Sequence, residues 1–83
     1  MSGRSVEGFK PIGRRMAELR TASAMTQREL AERLGKPASY VAKMELAERR
    51  LDLLDLDALA QALDIPVGEL AELLLARARG STG

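Results

Sequence analysis

The sequence predicts an all-α fold, a compact bundle of five helices, on three observations. Apolar residues recur at spacings of three and four along most of the chain, and nothing alternates with period two. Each apolar run is opened by a proline or by a capping residue with an acid three positions on. The chain has 83 residues and no cysteine, which leaves room for one core and no disulfide framework to replace it.

The elements follow in order. Residues 1–10 are polar, with Gly3 and Gly8, and are expected to form a flexible segment. Pro11 suits the first turn of a helix, and Ile12, Met16 and Leu19 share a face, so a first helix should run from about Pro11 to Ala22. Thr26 with Glu29 makes a capping box for a second helix over about 27–34, with Leu30, Ala31 and Leu34 inside. Pro37 starts a third helix, about 37–46, with Val41 and Met44 inward. Asp52 and Asp55 repeat the cap-and-acid pattern for a fourth, lined by Leu56, Leu59, Ala60 and Leu63. Pro66 restarts the chain, and Val67, Leu70, Leu73 and Leu74 line a fifth helix that ends near Arg79. Residues 80–83 read as a disordered tail, so the domain proper is expected to cover residues 11–79.

Composition excludes several chemistries. Without cysteine or histidine there is no thiolate nucleophile, no imidazole base and no ordinary zinc site. Asp52, Asp55 and Asp57 read as a helix cap and its first turn, not as metal ligands. No cofactor is expected, and no enzyme. The longest apolar run, Leu73 to Ala76, is far short of the roughly 20 residues that span a bilayer. With no signal-peptide pattern behind Met1, the expected location is the cytoplasm. Net charge is only +1, but residues 1–50 hold eleven Lys or Arg against six Glu, and residues 51–83 hold two Arg against six Asp or Glu. A basic half joined to an acidic half fits a protein with one face for nucleic acid.

The basic half carries a specific spacing. Counting Gln27 as one, Ala31 is fifth, Gly35 ninth, Val41 fifteenth and Met44 eighteenth. A small residue lets two helices cross closely, a glycine turns the chain, and two apolar residues three apart pin the second helix to the domain. That pattern is what a DNA-binding helix-turn-helix requires, with the outer face of the second helix left for a groove.

The stretches Met25-Thr26-Gln27-Arg28-Glu29-Leu30-Ala31-Glu32-Arg33-Leu34-Gly35 and Ala60-Gln61-Ala62-Leu63 resemble the phage repressor and Cro-type helix-turn-helix family, also called the xenobiotic-response-element type. The resemblance covers about Ile12 to Leu74 and implies a lambda-repressor-like domain that binds an operator in double-stranded DNA as a dimer. It implies that Ala38, Ser39 and Lys43 reach base edges in the major groove. Lys43 can donate to guanine, Ser39 discriminates weakly, and Ala38 offers only contact with a thymine methyl. Lys43 as a phosphate contact is the rival reading. Gln27 is expected to hold a phosphate and brace the recognition helix. Lys36, Tyr40, Arg49 and Arg50 flank that helix as further phosphate candidates, and Arg4 reads as part of an idle tail, with entry into a minor groove as the alternative. Arg20 and Glu45 resemble a buried ion pair of the family that ties the first helix to the third. One departure stands at Ala47, where family members often carry glycine: either alanine takes a left-handed cap at a cost on the order of 1 kcal/mol, or the third helix runs on by a turn.

The acidic half holds more leucine than one small core needs. Leu53, Leu54 and Leu75 are candidates for a surface that makes a homodimer, with a monomeric closed bundle as the rival. The leading function is a sequence-specific transcription regulator, a repressor or autoregulator on a pseudo-palindromic operator. The alternative is an antitoxin-like protein-interaction role, with a toxin or other partner on the leucine-rich half.

Overall fold

Local capping chemistry cuts this chain into helices of 8 to 14 residues. The computed structural model describes residues 9–80: α1 Lys10–Ala22, α2 Gln27–Leu34, α3 Ala38–Glu45, α4 Leu53–Leu63 and α5 Val67–Gly80. No strand occurs among the described residues. Most of the polar N-terminal segment, with Arg4, and residues 81–83 of the expected tail lie outside them. Lys10 already belongs to α1 and Gly80 still belongs to α5, each one residue beyond the sequence reading. Pro37 is the extended residue before α3, not its first helical residue.

The starts of α2 and α4 carry complete capping boxes. Thr26 Oγ1 accepts from Glu29 N at 3.0 Å while Glu29 Oε1 accepts from Thr26 N at 2.8 Å. Asp52 and Asp55 repeat the exchange at 2.8 and 3.0 Å. Each pair satisfies two backbone donors that a helix start leaves without partners.

The ends of α1, α2, α3 and α4 share another device. After each, one residue takes positive φ: Ala24 (59°), Gly35 (69°), Ala47 (63°) and Asp64 (57°). The next residue then donates its N–H five residues back, Met25 to Arg20, Lys36 to Ala31, Glu48 to Lys43 and Ile65 to Ala60. This closes the last turn by a Schellman pattern. Only one of the four left-handed positions is glycine. Ala47 therefore takes the strained cap, and α3 stops at Glu45 instead of running on.

Met16, Leu30, Val41, Met44, Leu59 and Leu70 are the fully buried side chains at the centre, one or more from every helix. α1 packs on α5 and α3, α2 on α3 and α4, and α4 on α5. Ile12, Leu19, Leu34, Leu51, Leu56 and Ile65 close the core from its edges. Val67 lies outside it, 42% exposed, although it shares the sequence periodicity of its helix.

Candidate nucleic-acid interface

The two faces of α3 divide as its period requires. Val41 and Met44 have no exposed surface, and they fix the helix against α1 and α2. Ala38, Ser39 and Lys43 are exposed on the other side. Gly35 ends α2 in the left-handed region, so α3 leaves at an angle after a three-residue turn.

α3 is anchored at its C-terminal end by a polar network. Arg20 donates from Nε to Glu45 Oε2 at 2.7 Å and from Nη2 to Glu45 Oε1 at 3.1 Å. Its Nη1 donates to the Met25 carbonyl at 2.8 Å, which closes the α1–α2 turn. Gln27, first residue of α2, donates from Nε2 to Glu45 Oε1 at 2.9 Å. One carboxylate thereby joins three helices. The Arg20 and Glu45 side chains are 15% and 6% exposed, so the pair is screened little by solvent. The hydrogen bond to Glu45 holds Arg20 above its ordinary pKa, with burial opposing and the Glu45 charge adding.

Glycine 13 explains why α1 can reach the end of α3. A Cβ built there would lie 2.6 Å from the Glu45 carbonyl oxygen and 2.9 Å from that of Met44. Sequence reading missed this contact, although a glycine inside a run of good helix formers is the signal that could have flagged it. Arg33 was also missed: its Nη1 donates to the Ala62 carbonyl at 3.0 Å and ties α2 to α4.

A second cluster sits beside the N-terminal half of α3. Tyr40 gives its hydroxyl proton to Asp55 Oδ1 at 2.9 Å, and Arg49 donates from Nη2 to Asp55 Oδ2 at 3.1 Å. The Arg49 guanidinium lies 4.4 Å from the Tyr40 ring centre, and Lys36 Nζ lies 5.4 Å from it. Burial works against the Asp55 carboxylate. The Asp52 N–H, the Tyr40 hydroxyl and the Arg49 charge outweigh it and hold Asp55 below its ordinary pKa. Burial, with the bond to Asp55, pushes the Tyr40 hydroxyl up, so it stays protonated.

The sequence-expected phosphate group is thus split by the fold. Tyr40, Arg49 and Lys36 come together, and Tyr40 also packs on the core. Gln27 belongs to the Glu45 network, and Arg50 is exposed at the edge of the loop after α3.

Exposed leucines stand on α4 and α5. Leu53 and Leu54 in the first turn of α4 are 82% and 80% exposed, and Leu75 on α5 is 43% exposed. Leu53 and Leu75 line a shallow groove of about 350 Å³ with Phe9, Ile12, Leu56 and Leu74. Leu46, at the end of α3, is a further exposed leucine that sequence reading did not single out. No group of three or more acidic side chains among the described residues could hold a metal ion, and no helix among them is long and apolar enough to cross a membrane.

This fold and the free outer face of α3 define a helix-turn-helix protein. Residues 16–70 match the family model described as helix-turn-helix, and the chain belongs to that family of DNA-binding transcription regulators, which are not enzymes. The chain is similar to the restriction-modification controller protein C.AhdI from Aeromonas hydrophila, with 40% identity over 75% of this chain and 94% of that one, at a TM-score of 0.70. Its fold is also that of the clp gene regulator ClgR from C. glutamicum, at a TM-score of 0.75 and 24% identity over 92% of this chain and 94% of that one. No curated protein matches the sequence.

Proposed function

We propose that this regulator is a dimeric repressor or autoregulator that binds a pseudo-palindromic operator through α3 in the major groove. The observation that carries the reading is the division of α3: Val41 and Met44 are fully buried while Ala38, Ser39 and Lys43 face outward. In this reading Lys43 reads a guanine edge, Ser39 adds weak discrimination and Ala38 lies against a thymine methyl. So sparse a set leaves part of the preference to DNA shape. Gln27, Lys36, Tyr40, Arg49 and Arg50 meet phosphates around the helix. Gln27 keeps one amide hydrogen for that contact after bonding Glu45. Arg49 brings its guanidinium to a phosphate from the Asp55 cluster, whereas Tyr40, whose one hydroxyl proton goes to Asp55, donates to a phosphate only by exchanging that bond.

Leu53, Leu54 and Leu75 form the two-fold interface: Leu53 and Leu75 line one groove, Leu54 follows Leu53 in the first turn of α4, and exposed apolar side chains mark a contact surface. The symmetry then sets two recognition helices about 34 Å apart on one face of the duplex. The 40% identity to a restriction-modification controller favours a regulator of that kind, acting in the cytoplasm. The exposure of Leu53 and Leu54 supports a second reading too, an antitoxin-like role in which a toxin or other protein covers that face.

Selection of bound duplexes from random DNA, with sedimentation of the free protein, separates these readings. A two-fold symmetric site with half-sites about one helical turn apart and a sedimenting mass near twice 9.0 kDa support the dimeric operator. A monomer mass with no enriched sequence, and binding to every duplex that fades steeply with salt, would overturn it in favour of a protein partner.

A further inference from the structure

The recognition helix and the leucine face are joined through one carboxylate. α3 packs on α1 and α2, whereas α4, which presents Leu53 and Leu54, packs on α2 and α5. Among the described residues the side-chain hydrogen bond that passes directly from α3 to α4 runs from Tyr40 to Asp55, at 2.9 Å. Asp55 is also the third residue of the α4 capping box, where Oδ2 accepts from Asp52 N at 3.0 Å. The same Oδ2 takes Arg49, from the loop between the two helices, at 3.1 Å. Helix, loop and helix start all converge on this side chain. Leu53 and Leu54 lie between its two capping residues, Asp52 and Asp55.

We infer that Asp55 is a positioning residue for DNA reading, holding Tyr40 and Arg49 so that the recognition helix keeps a fixed orientation to the leucine face of α4. The inference rests on the dimeric-operator reading. If Leu53 and Leu54 form the two-fold contact, the distance between the two α3 helices depends on how rigidly each is held to its own α4. Packing through α2 sets that relation coarsely. The Tyr40–Asp55 bond and the Arg49 pair, half-buried and geometrically specific, set it finely. Asp55 touches no base and no phosphate in this arrangement. Its effect is on the preferred half-site spacing, not on the base preference within a half-site.

The test uses the full chain and a duplex library in which a selected half-site is repeated at varied separation. Wild type, Tyr40→Phe and Asp55→Asn are compared for spacing preference, for half-site sequence and for sedimenting mass. Tyr40→Phe removes one hydroxyl and leaves the ring on the core. It keeps the fold even where Asp55→Asn weakens the α4 cap. The expected result is an unchanged dimer and an unchanged half-site in both variants, with discrimination between the best spacing and one shifted by a base pair reduced about fivefold, the worth of one ordinary hydrogen bond. A tyrosine that served only as a phosphate donor would weaken both spacings equally, so undiminished discrimination overturns the inference while leaving the operator reading intact. Loss of the dimer in Tyr40→Phe also overturns it, because the bond would then support assembly instead of orientation. A wild-type protein with no preferred spacing overturns the dimeric-operator reading, and the inference with it.

Discussion

Arg20 grips Glu45 with two parallel hydrogen bonds of 2.7 and 3.1 Å across 25 residues of sequence, and so couples α1 to the end of α3. Arg15 makes the contrasting contact, a single bond of 3.1 Å to Glu18 within one exposed helix face. Truncating one side of this part-buried pair strands the other charge, a loss of about 2–3 kcal/mol, below that of a fully buried pair, whereas an exposed pair contributes at most about 1 kcal/mol. Arg20→Ala should therefore lower the melting temperature by on the order of 10–20 °C. Arg15→Ala should shift it by only a few degrees, about the limit set by 1 kcal/mol. Equal shifts in thermal unfolding would show that the Glu45 network does not anchor α3.

Two glycines inside helices should answer alanine with opposite signs. At Gly13 the added Cβ meets two backbone carbonyls within 3 Å, and neither can move without shifting α3. Overpacking of this kind costs about 1–3 kcal/mol, more than the roughly 1 kcal/mol of helix propensity that alanine returns. At Gly68 nothing lies within 4 Å and the backbone is ordinary, so alanine should stabilise by about 0.5 kcal/mol. Urea unfolding of Gly13→Ala and Gly68→Ala would measure both. A stabilised Gly13→Ala would mean that α1 and α3 can separate freely.

The left-handed alanine after α3 offers a gain in the other direction. Ala47 sits at φ 63°, where a Cβ costs roughly 1–2 kcal/mol. Glycine relieves that strain but adds freedom to the unfolded chain, by about 0.4–1 kcal/mol. Ala47→Gly should raise stability by about 0.5–1 kcal/mol net. A drop in the urea midpoint would indicate that the loop carrying Arg49 draws more from alanine than its conformation suggests.

What the sequence discloses here depends on the distance over which a cause acts. Thr26 with Glu29 and Asp52 with Asp55 are legible because both partners of each capping box lie three residues apart. The buried stripes of α2 and α3 are legible because helical period alone places Leu30, Ala31, Val41 and Met44. The Arg20–Glu45 pair is legible only through family resemblance, since no periodicity links residues 25 apart. The Tyr40–Asp55 bond spans 15 residues through a loop whose course is set by the φ of Ala47, and nothing in the spacing announces it. Tyr40 therefore reads from sequence as an outward hydroxyl, whereas in the fold it packs on the core and bonds to α4. Gly13 is an intermediate case: its oddness is visible in the sequence, but the carbonyls it accommodates are not.

Acid should release the Asp55 cluster. The Asp52 N–H, the Tyr40 hydroxyl and the Arg49 charge favour the carboxylate in the folded protein, so its pKa is lower there than in the unfolded chain. Folding then gains stability from Asp55 at any pH above the unfolded value of about 4, and the gain disappears as pH falls through the lower folded value. Wild type should exceed Asp55→Asn in melting temperature at pH 7, with the gap closing below about pH 4. A gap that persists unchanged at pH 3 would mean that the charge of Asp55 is not what holds Tyr40 and Arg49.

Lys43 separates base reading from phosphate holding. It lies one turn after Ser39 on the exposed face of α3, opposite the buried Val41 and Met44. An ammonium there can donate to guanine O6 and N7, and loss of such a contact removes about 1–3 kcal/mol of discrimination at one base pair. Lys43→Ala should therefore relax the preference at a single position in each half-site while the remaining positions keep theirs. A lysine bound only to phosphate would weaken every duplex alike and reduce the salt slope by about one, with the selected sequence unaltered. Repeating the duplex selection with the variant, and titrating the winner against salt, decides between the two. An unaltered consensus would remove Lys43 from the base-reading set and leave Ser39 and DNA shape to account for specificity.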